Sequence, residues 1–196
     1  PVVSYAHVGT LLYNLVVNPV TGKVYVTNTD SLNEIRFEGP GDYAGSTTQG
    51  QFVRSQITVI DPVLNTVTPK HLNGHIDYSQ LHTDPGADHA AIEQQIQHSL
   101  ATPLDIVVSS DGATIYMAAQ GSNKVGVFSA SAIEDPNFAT NFDPTVASAA
   151  YLQTGRGPSG LVLDETLGLL YVLARFDNSV EVIDIASGAK LQAIPI

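Results

Sequence analysis

The segment Asn18-Pro19-Val20-Thr21-Gly22-Lys23-Val24-Tyr25 recurs twice in altered form, as Ser109-Ser110-Asp111-Gly112-Ala113-Thr114-Ile115-Tyr116 and as Asp164-Glu165-Thr166-Leu167-Gly168-Leu169-Leu170-Tyr171. The three align without gaps. Each is a polar turn followed by an apolar residue and a tyrosine. Each is preceded by an apolar triplet, Leu15-Val16-Val17, Ile106-Val107-Val108 or Leu161-Val162-Leu163. More strand-forming residues follow: Val26-Thr27-Asn28, Met117-Ala118-Ala119 and Val172-Leu173-Ala174.

A further strand comes next in each unit. It opens seven residues after Tyr116 as Asn123-Lys124-Val125-Gly126-Val127-Phe128, and seven after Tyr171 as Asn178-Ser179-Val180-Glu181-Val182-Ile183-Asp184. In the first unit the counterpart, Ser55-Gln56-Ile57-Thr58-Val59-Ile60-Asp61, begins 30 residues after Tyr25, so about 23 residues are inserted (30 minus 7). A fourth strand is expected near Thr66–His71, 149–154 and Lys190–Pro195. Continuous apolar runs fit inner strands buried on both faces. In the outer strand, Val180, Val182 and Asp184 fall on one face and Glu181, Ile183 and Ile185 on the other.

Four short strands per repeated unit predict an all-β chain of β-propeller blades. A four-stranded sheet cannot bury both faces alone, whereas blades stacked around an axis bury them against one another. The expected organisation over 1–196 is a partial ring of about three blades plus one strand. Residues 1–10 form the last strand of a preceding blade. Blade 11–72 carries an insertion over 29–54, a second insertion spans 73–102, blade 103–154 carries an insertion over 131–148, and the last blade is 155–196. Such a piece exposes two apolar flanks, to be covered by the remaining blades or by another protein chain.

Apolar residues make up 43% of the 196 and charged residues 14%, the balance of an ordered domain. The formal charge of −11 opposes nucleic acid and anionic membrane surfaces as partners. No apolar run approaches the ~20 residues of a membrane span. Cysteine is absent, which excludes disulfides, thiolate metal sites and covalent haem attachment within these residues. The chain opens Pro1-Val2-Val3, without an initiator Met or a basic n-region, and is read as internal to a longer precursor.

Tyr25-Val26-Thr27-Asn28 matches the motif that names the YVTN family of seven-bladed propellers, and Asn178–Asp184 resembles that family's following strand, N-x-V-x-V-I-D. The resemblance covers most of the chain outside the insertions. It implies a bacterial surface-layer-like, secreted or periplasmic protein. Related propellers include lactonases and haem or quinone oxidoreductases, so the family implies a fold and only loosely a function.

Candidate chemistry lies in the insertions, because loops on a rigid scaffold carry binding groups. Asp30, Asn33 and Glu34 begin a Gly-rich loop whose oxygens suit Ca²⁺, although their spacing matches no defined calcium loop and a solvated hairpin is the plain alternative. The second insertion holds five of the six histidines, His71, His75, His82, His89 and His98. Asp88 is expected to cap a helix running to about Leu100, with Ile92, Ile96 and Leu100 on its apolar face and His89 one turn from Glu93. His71, His75, His82, His89 and Glu93 could hold Zn²⁺, Cu²⁺ or a haem iron. The competing reading is that these histidines cap strand ends or line the channel mouth. In the third insertion Phe138 and Phe142 are expected to tuck the loop onto the blade. Arg175 is expected either to bind an anion or to pair with Asp177.

No nucleophile elbow, Walker loop or dinucleotide fingerprint occurs. The function expected first is a non-catalytic secreted or surface scaffold or binding module. A cofactor- or metal-bearing periplasmic oxidoreductase using the His-rich insertion is the alternative, and a lactonase-like hydrolase the second.

Overall fold

The computed structural model describes residues 3–32, 52–76 and 88–196. Among these residues twelve strands form three four-stranded antiparallel sheets. The first holds β1 (Leu11–Val17), β2 (Val24–Ser31), β3 (Val53–Asp61) and β4 (Thr66–His71). The second holds β5 (Pro103–Val108), β6 (Thr114–Ala119), β7 (Lys124–Ser129) and β8 (Leu152–Gln153). The third holds β9 (Pro158–Asp164), β10 (Leu169–Ala174), β11 (Ser179–Asp184) and β12 (Lys190–Pro195). Strand order follows chain order in each, as in propeller blades.

The three tyrosines are equivalent. Tyr25, Tyr116 and Tyr171 pair with Val16, Val107 and Val162 on one side. On the other they pair with Val59, Val127 and Val182. Two backbone positions repeat as well. Gly22, Gly112 and Gly168 sit in the turn before the tyrosine strand with φ of 71°, 71° and 66°, where a Cβ is disfavoured. Asn123 and Asn178 adopt φ of 53° and 49° ahead of the third strand, which explains the asparagine that opens the N-x-V-x-V pattern.

Side-chain alternation gives each sheet a face toward the following blade and a face toward the preceding one. Tyr25, Ile57 and Val59 of the first sheet pack against Ile106, Ile115 and Met117 of the second. Tyr116, Ala118 and Val125 pack against Leu161, Leu170, Val172 and Ile183 of the third. Both clusters are apolar, and area burial of this kind is the main stabilising term.

Polar stitches set the blades' relative positions. Asn18 donates from Nδ2 to the Tyr25 hydroxyl and to the Gly112 carbonyl in the next blade's turn, at 2.8 and 2.9 Å. Ser110 N–H donates to Glu165 Oε1 at 2.9 Å, joining the next pair of turns. Near the inner strands Asp105 accepts from Asn14 Nδ2 of the first blade and from Leu161 N–H of the third, the latter at 2.6 Å. One carboxylate thus ties three blades.

Four features depart from expectation. Residues 3–10 form no strand. The Val8 carbonyl accepts from Thr58 Oγ1 at 2.6 Å, Thr10 N–H reaches the Thr29 carbonyl at 2.9 Å, and His7 has a φ of 61°. The segment lies as a strap across the first sheet's free face, satisfied by side chains rather than by a ladder. The first insertion is narrower than 29–54, because β2 and β3 extend to Ser31 and back to Val53. The helix of the second insertion, α1 (His89–Gln97), stops short of Leu100, with Asp88 accepting from Ala91 N–H as its cap. It buries Ile92, leaves Ile96 exposed, and Leu100 is buried beyond its end. The third insertion holds three short helices, α2 (Ala130–Glu134), α3 (Phe138–Asn141) and α4 (Pro144–Ala147), so α1 is not the sole helical element.

Tyr25→Phe removes the hydroxyl that donates to Glu134 Oε1 at 2.5 Å and accepts from Asn18. It is expected to cost about 1–3 kcal/mol in urea denaturation, against under about 0.5 kcal/mol for Tyr171→Phe, whose side chain faces the free flank.

Candidate functional site

The two later insertions meet at the outer rim of the first and second blades. Asn73 holds the start of the second insertion by two hydrogen bonds to Leu100, donating to its carbonyl at 2.7 Å and accepting from its N–H at 2.8 Å. His75 Nε2 donates to the Gln95 carbonyl of α1 at 3.0 Å. His98 Nδ1 and Ser148 Oγ hydrogen-bond, which joins the end of α1 to the third insertion. Phe138 and Phe142 stack at 4.5 Å between centroids with 16° between planes, and Phe138 is buried.

Between β4 and the third insertion these contacts leave a cleft of about 330 Å³. Its floor is Lys70, His71 and His75, and its wall is Pro136, Phe138 and Phe142. Lys70 is only 3% exposed. Its ammonium donates to the Asp135 carbonyl at 2.6 Å and lies 5.5 Å from the Phe138 ring centroid, a cation–π distance. Burial lowers its pKa, partly offset by the nearby Asp135 carboxylate.

Burial pushes His71 down to about 4, with the Arg54 and His75 charges adding to the effect. His75 is also lowered, mainly by burial, against its bond to the Gln95 carbonyl. A carbonyl can only accept, so Nε2 of His75 carries the proton and Nδ1 is a bare acceptor. That Nδ1 is buried without a partner among the described residues.

The structure therefore brings His71 and His75 together but does not gather the wider histidine set. His89 and Glu93 sit on α1, and His82 lies outside the described residues. Among the described residues, no group of three or more His, Asp or Glu is placed to hold a metal ion. Of the residues read as calcium ligands, Asn33 and Glu34 lie outside the described residues, and Asp30 Oδ1 accepts from Thr10 Oγ1 at 3.1 Å. Asp177 pairs with Arg156 at 2.6 Å rather than with Arg175, because the loop before β9 folds back over the short turn after β10. Sequence reasoning missed Lys70 and the wall of the cleft. A single lysine in an outer strand carries no periodic signal, and its ring partner is about 70 residues away in the chain.

No protein-family model matches the chain, and no curated protein matches it. Solved structures do. A chain of hydrazine synthase from Kuenenia stuttgartiensis is 18% identical with a TM-score of 0.60, covering 91% of this chain and 46% of that one. A chain in a nidogen/laminin complex is 12% identical with a TM-score of 0.57, covering 98% of this chain and 50% of that one. The fold is that of a β-propeller. The periplasmic gluconolactonase of Pseudomonas aeruginosa, 15% identical with a TM-score of 0.50, is matched over 93% of this chain and 41% of its own. The chain spans about half the length of these neighbours, and identities this low speak to fold alone.

The depressed pKa of His71 sets a pH dependence. The unfolded ring takes a proton near its ordinary 6.5 and the folded ring only near about 4, so the unfolded state binds more protons in between. Stability is expected to fall as pH drops from about 6.5 to about 4. His71→Gln should flatten that part of a plot of Tm against pH.

Proposed function

We propose that the chain is a blade-bearing module of a larger YVTN-type propeller, secreted or exposed at a bacterial surface, that works as a scaffold or binding unit rather than as an enzyme by itself. The observation that carries the reading is the state of its two end faces. On the first blade Leu15 is 61% exposed, although its counterparts Ile106 and Leu161 are 2% and 6% exposed. On the third blade Val162 is 63% exposed, although its counterparts Val16 and Val107 are packed against the interblade cores. Tyr171, Leu173 and Val180 share that face and are half-buried, while Val182 beside them is buried. The end faces are built to be covered by blades, and the comparison structures are about twice as long.

The acidic composition fits a partner that is protein or small molecule rather than nucleic acid.

The test pairs chemistry with the flanks. The purified chain is expected to hold no stoichiometric metal, show no visible absorbance band and open no lactone ring with or without chelator. A bound metal or a chromophore would move the assignment to the oxidoreductase class. Val162→Glu should change stability by less than about 1 kcal/mol and reduce binding of a hydrophobic dye, whereas Val107→Glu, at the buried equivalent, should cost several kcal/mol.

A further inference from the structure

The outer edge of the second blade is open where its neighbours are closed. In the first blade β4 pairs with β3 from Gln56 to Asp61, and in the third β12 pairs with β11 from Ser179 to Ile183. In the second blade β8 pairs only with Lys124 and Val125 of β7. Val59 and Val182, the counterparts of Val127, lie opposite Thr68 and Gln192, whereas Val127 has no fourth strand opposite it. The residues just before β8 would continue that ladder. They are wound instead into a 3₁₀ turn over Ser148–Ala150, directly after α4.

The ladder fixes which backbone groups this edge presents. Ala130 N–H donates to the Ala113 carbonyl at 2.8 Å, so Phe128 and Gly126, in alternate steps, turn their N–H and C=O toward β6. Val127 turns both of its groups outward, and Ser129 its N–H. These meet no partner among the described residues. Thr154 N–H reaches the Asn123 carbonyl at 3.1 Å, the same outward alternation where β8 is present.

This edge lines a cleft of about 330 Å³ between β7 and the third insertion. Ser129 is exposed and Val127 half-buried. Phe142 and Val146, the latter 71% exposed, supply apolar lining, and Asp135 and Asp143 supply carboxylates. Asp143 Oδ1 accepts from Thr145 N–H and Oγ1 at 2.9 and 2.6 Å, which leaves Oδ2 without a partner among the described residues. Asp135 accepts from Asn141 Nδ2 at 2.9 Å and from Asn137 N–H at 2.7 Å. Such bonds hold both carboxyls below the usual aspartate range, so both are charged at neutral pH. The nearby cations do not line the cleft: Lys70 is spent on the Asp135 carbonyl, and His98 bonds Ser148.

These features select one kind of occupant. A free strand edge calls for an extended backbone, because that alone repeats N–H and C=O at the spacing of a ladder. Two carboxylates without a lining cation call for positive charge. We propose that a short extended segment of a partner protein, carrying apolar and basic residues, adds to the free edge of β7 as the missing length of the fourth strand. Its backbone pairs with Val127 and Ser129, its apolar side chains lie against Phe142 and Val146, and a lysine or arginine meets Asp143. The surface is separate from the bare end faces and does not depend on how the ring is completed.

The experiment is fluorescence anisotropy of the chain with three labelled, amidated hexapeptides. The first is Val-Thr-Lys-Ile-Val-Lys, the second has glutamate in both lysine places, and the third is the first with each backbone N–H methylated. The first is expected to bind saturably and at least about tenfold more tightly than either of the others, since one control reverses the charge and the other removes the ladder. Asp143→Asn, which keeps an oxygen for Thr145, and Val146→Lys, at an exposed position, should each weaken the first peptide about threefold or more at unchanged Tm. Absence of saturable binding overturns the proposal. So does equal binding of the methylated peptide, which would mean attraction to an acidic surface without strand pairing. Equal binding of the glutamate peptide, or wild-type affinity in both variants, overturns it as well. If a variant does not fold, the three-peptide comparison on the wild-type chain decides alone.

Discussion

A four-stranded sheet with two apolar faces cannot exist in water by itself, and this constraint organises the whole chain. Each tyrosine strand presents alternate residues to the blades before and after it. Tyr25, Ile57 and Val59 face one neighbour, while Val26, Thr58 and Ile60 face the other way. Stability therefore resides in the joints between blades, as in any quasi-one-dimensional repeat. The central blade is covered on both faces; the third is bare on one, and the first is partly covered on its outer face, where residues 3–10 lie over Val26, Thr58 and Ile60 while Leu15 stays exposed. Their bare faces repeat the residue types of the buried ones, and for that reason exposure here reads as an interface.

Apolar stacking alone would let the blades slide, and the polar contacts prevent it. Asp105 accepts from the first blade and from the third, so its carboxylate fixes three inner strands in one register. Glu134 does similar work farther out. It sits in the second blade's insertion and takes the Tyr25 hydroxyl, the Lys23 ammonium at 2.9 Å and the Thr21 hydroxyl at 3.0 Å from the first blade. Those three donors hold the carboxylate below the usual glutamate range, although partial burial opposes them. Such charge-assisted bonds are directional, which a dispersion contact is not.

The insertions are fastened to this frame and to each other. Asn73 and His75 tie the second insertion to itself, and His98 joins it to Ser148 at the end of the third. Of the histidines that suggested a metal, His75 serves as one such strut. Its buried Nδ1 faces no donor among the described residues.

The amino-acid sequence by itself determined the blade number, the strand order and the equivalence of Tyr25, Tyr116 and Tyr171. These follow from local periodicity and from turn chemistry at Gly22, Gly112, Gly168, Asn123 and Asn178, which act within a few residues. It also marked the helix cap at Asp88 and the inward set of Phe138 and Phe142. Tertiary structure alone decided the strap formed by residues 3–10, the three-blade tie at Asp105, the partner of Asp177 and the cleft around Lys70. Each depends on groups far apart in the chain meeting across a blade joint. No spacing rule encodes which side chain a folded sheet will bring opposite another.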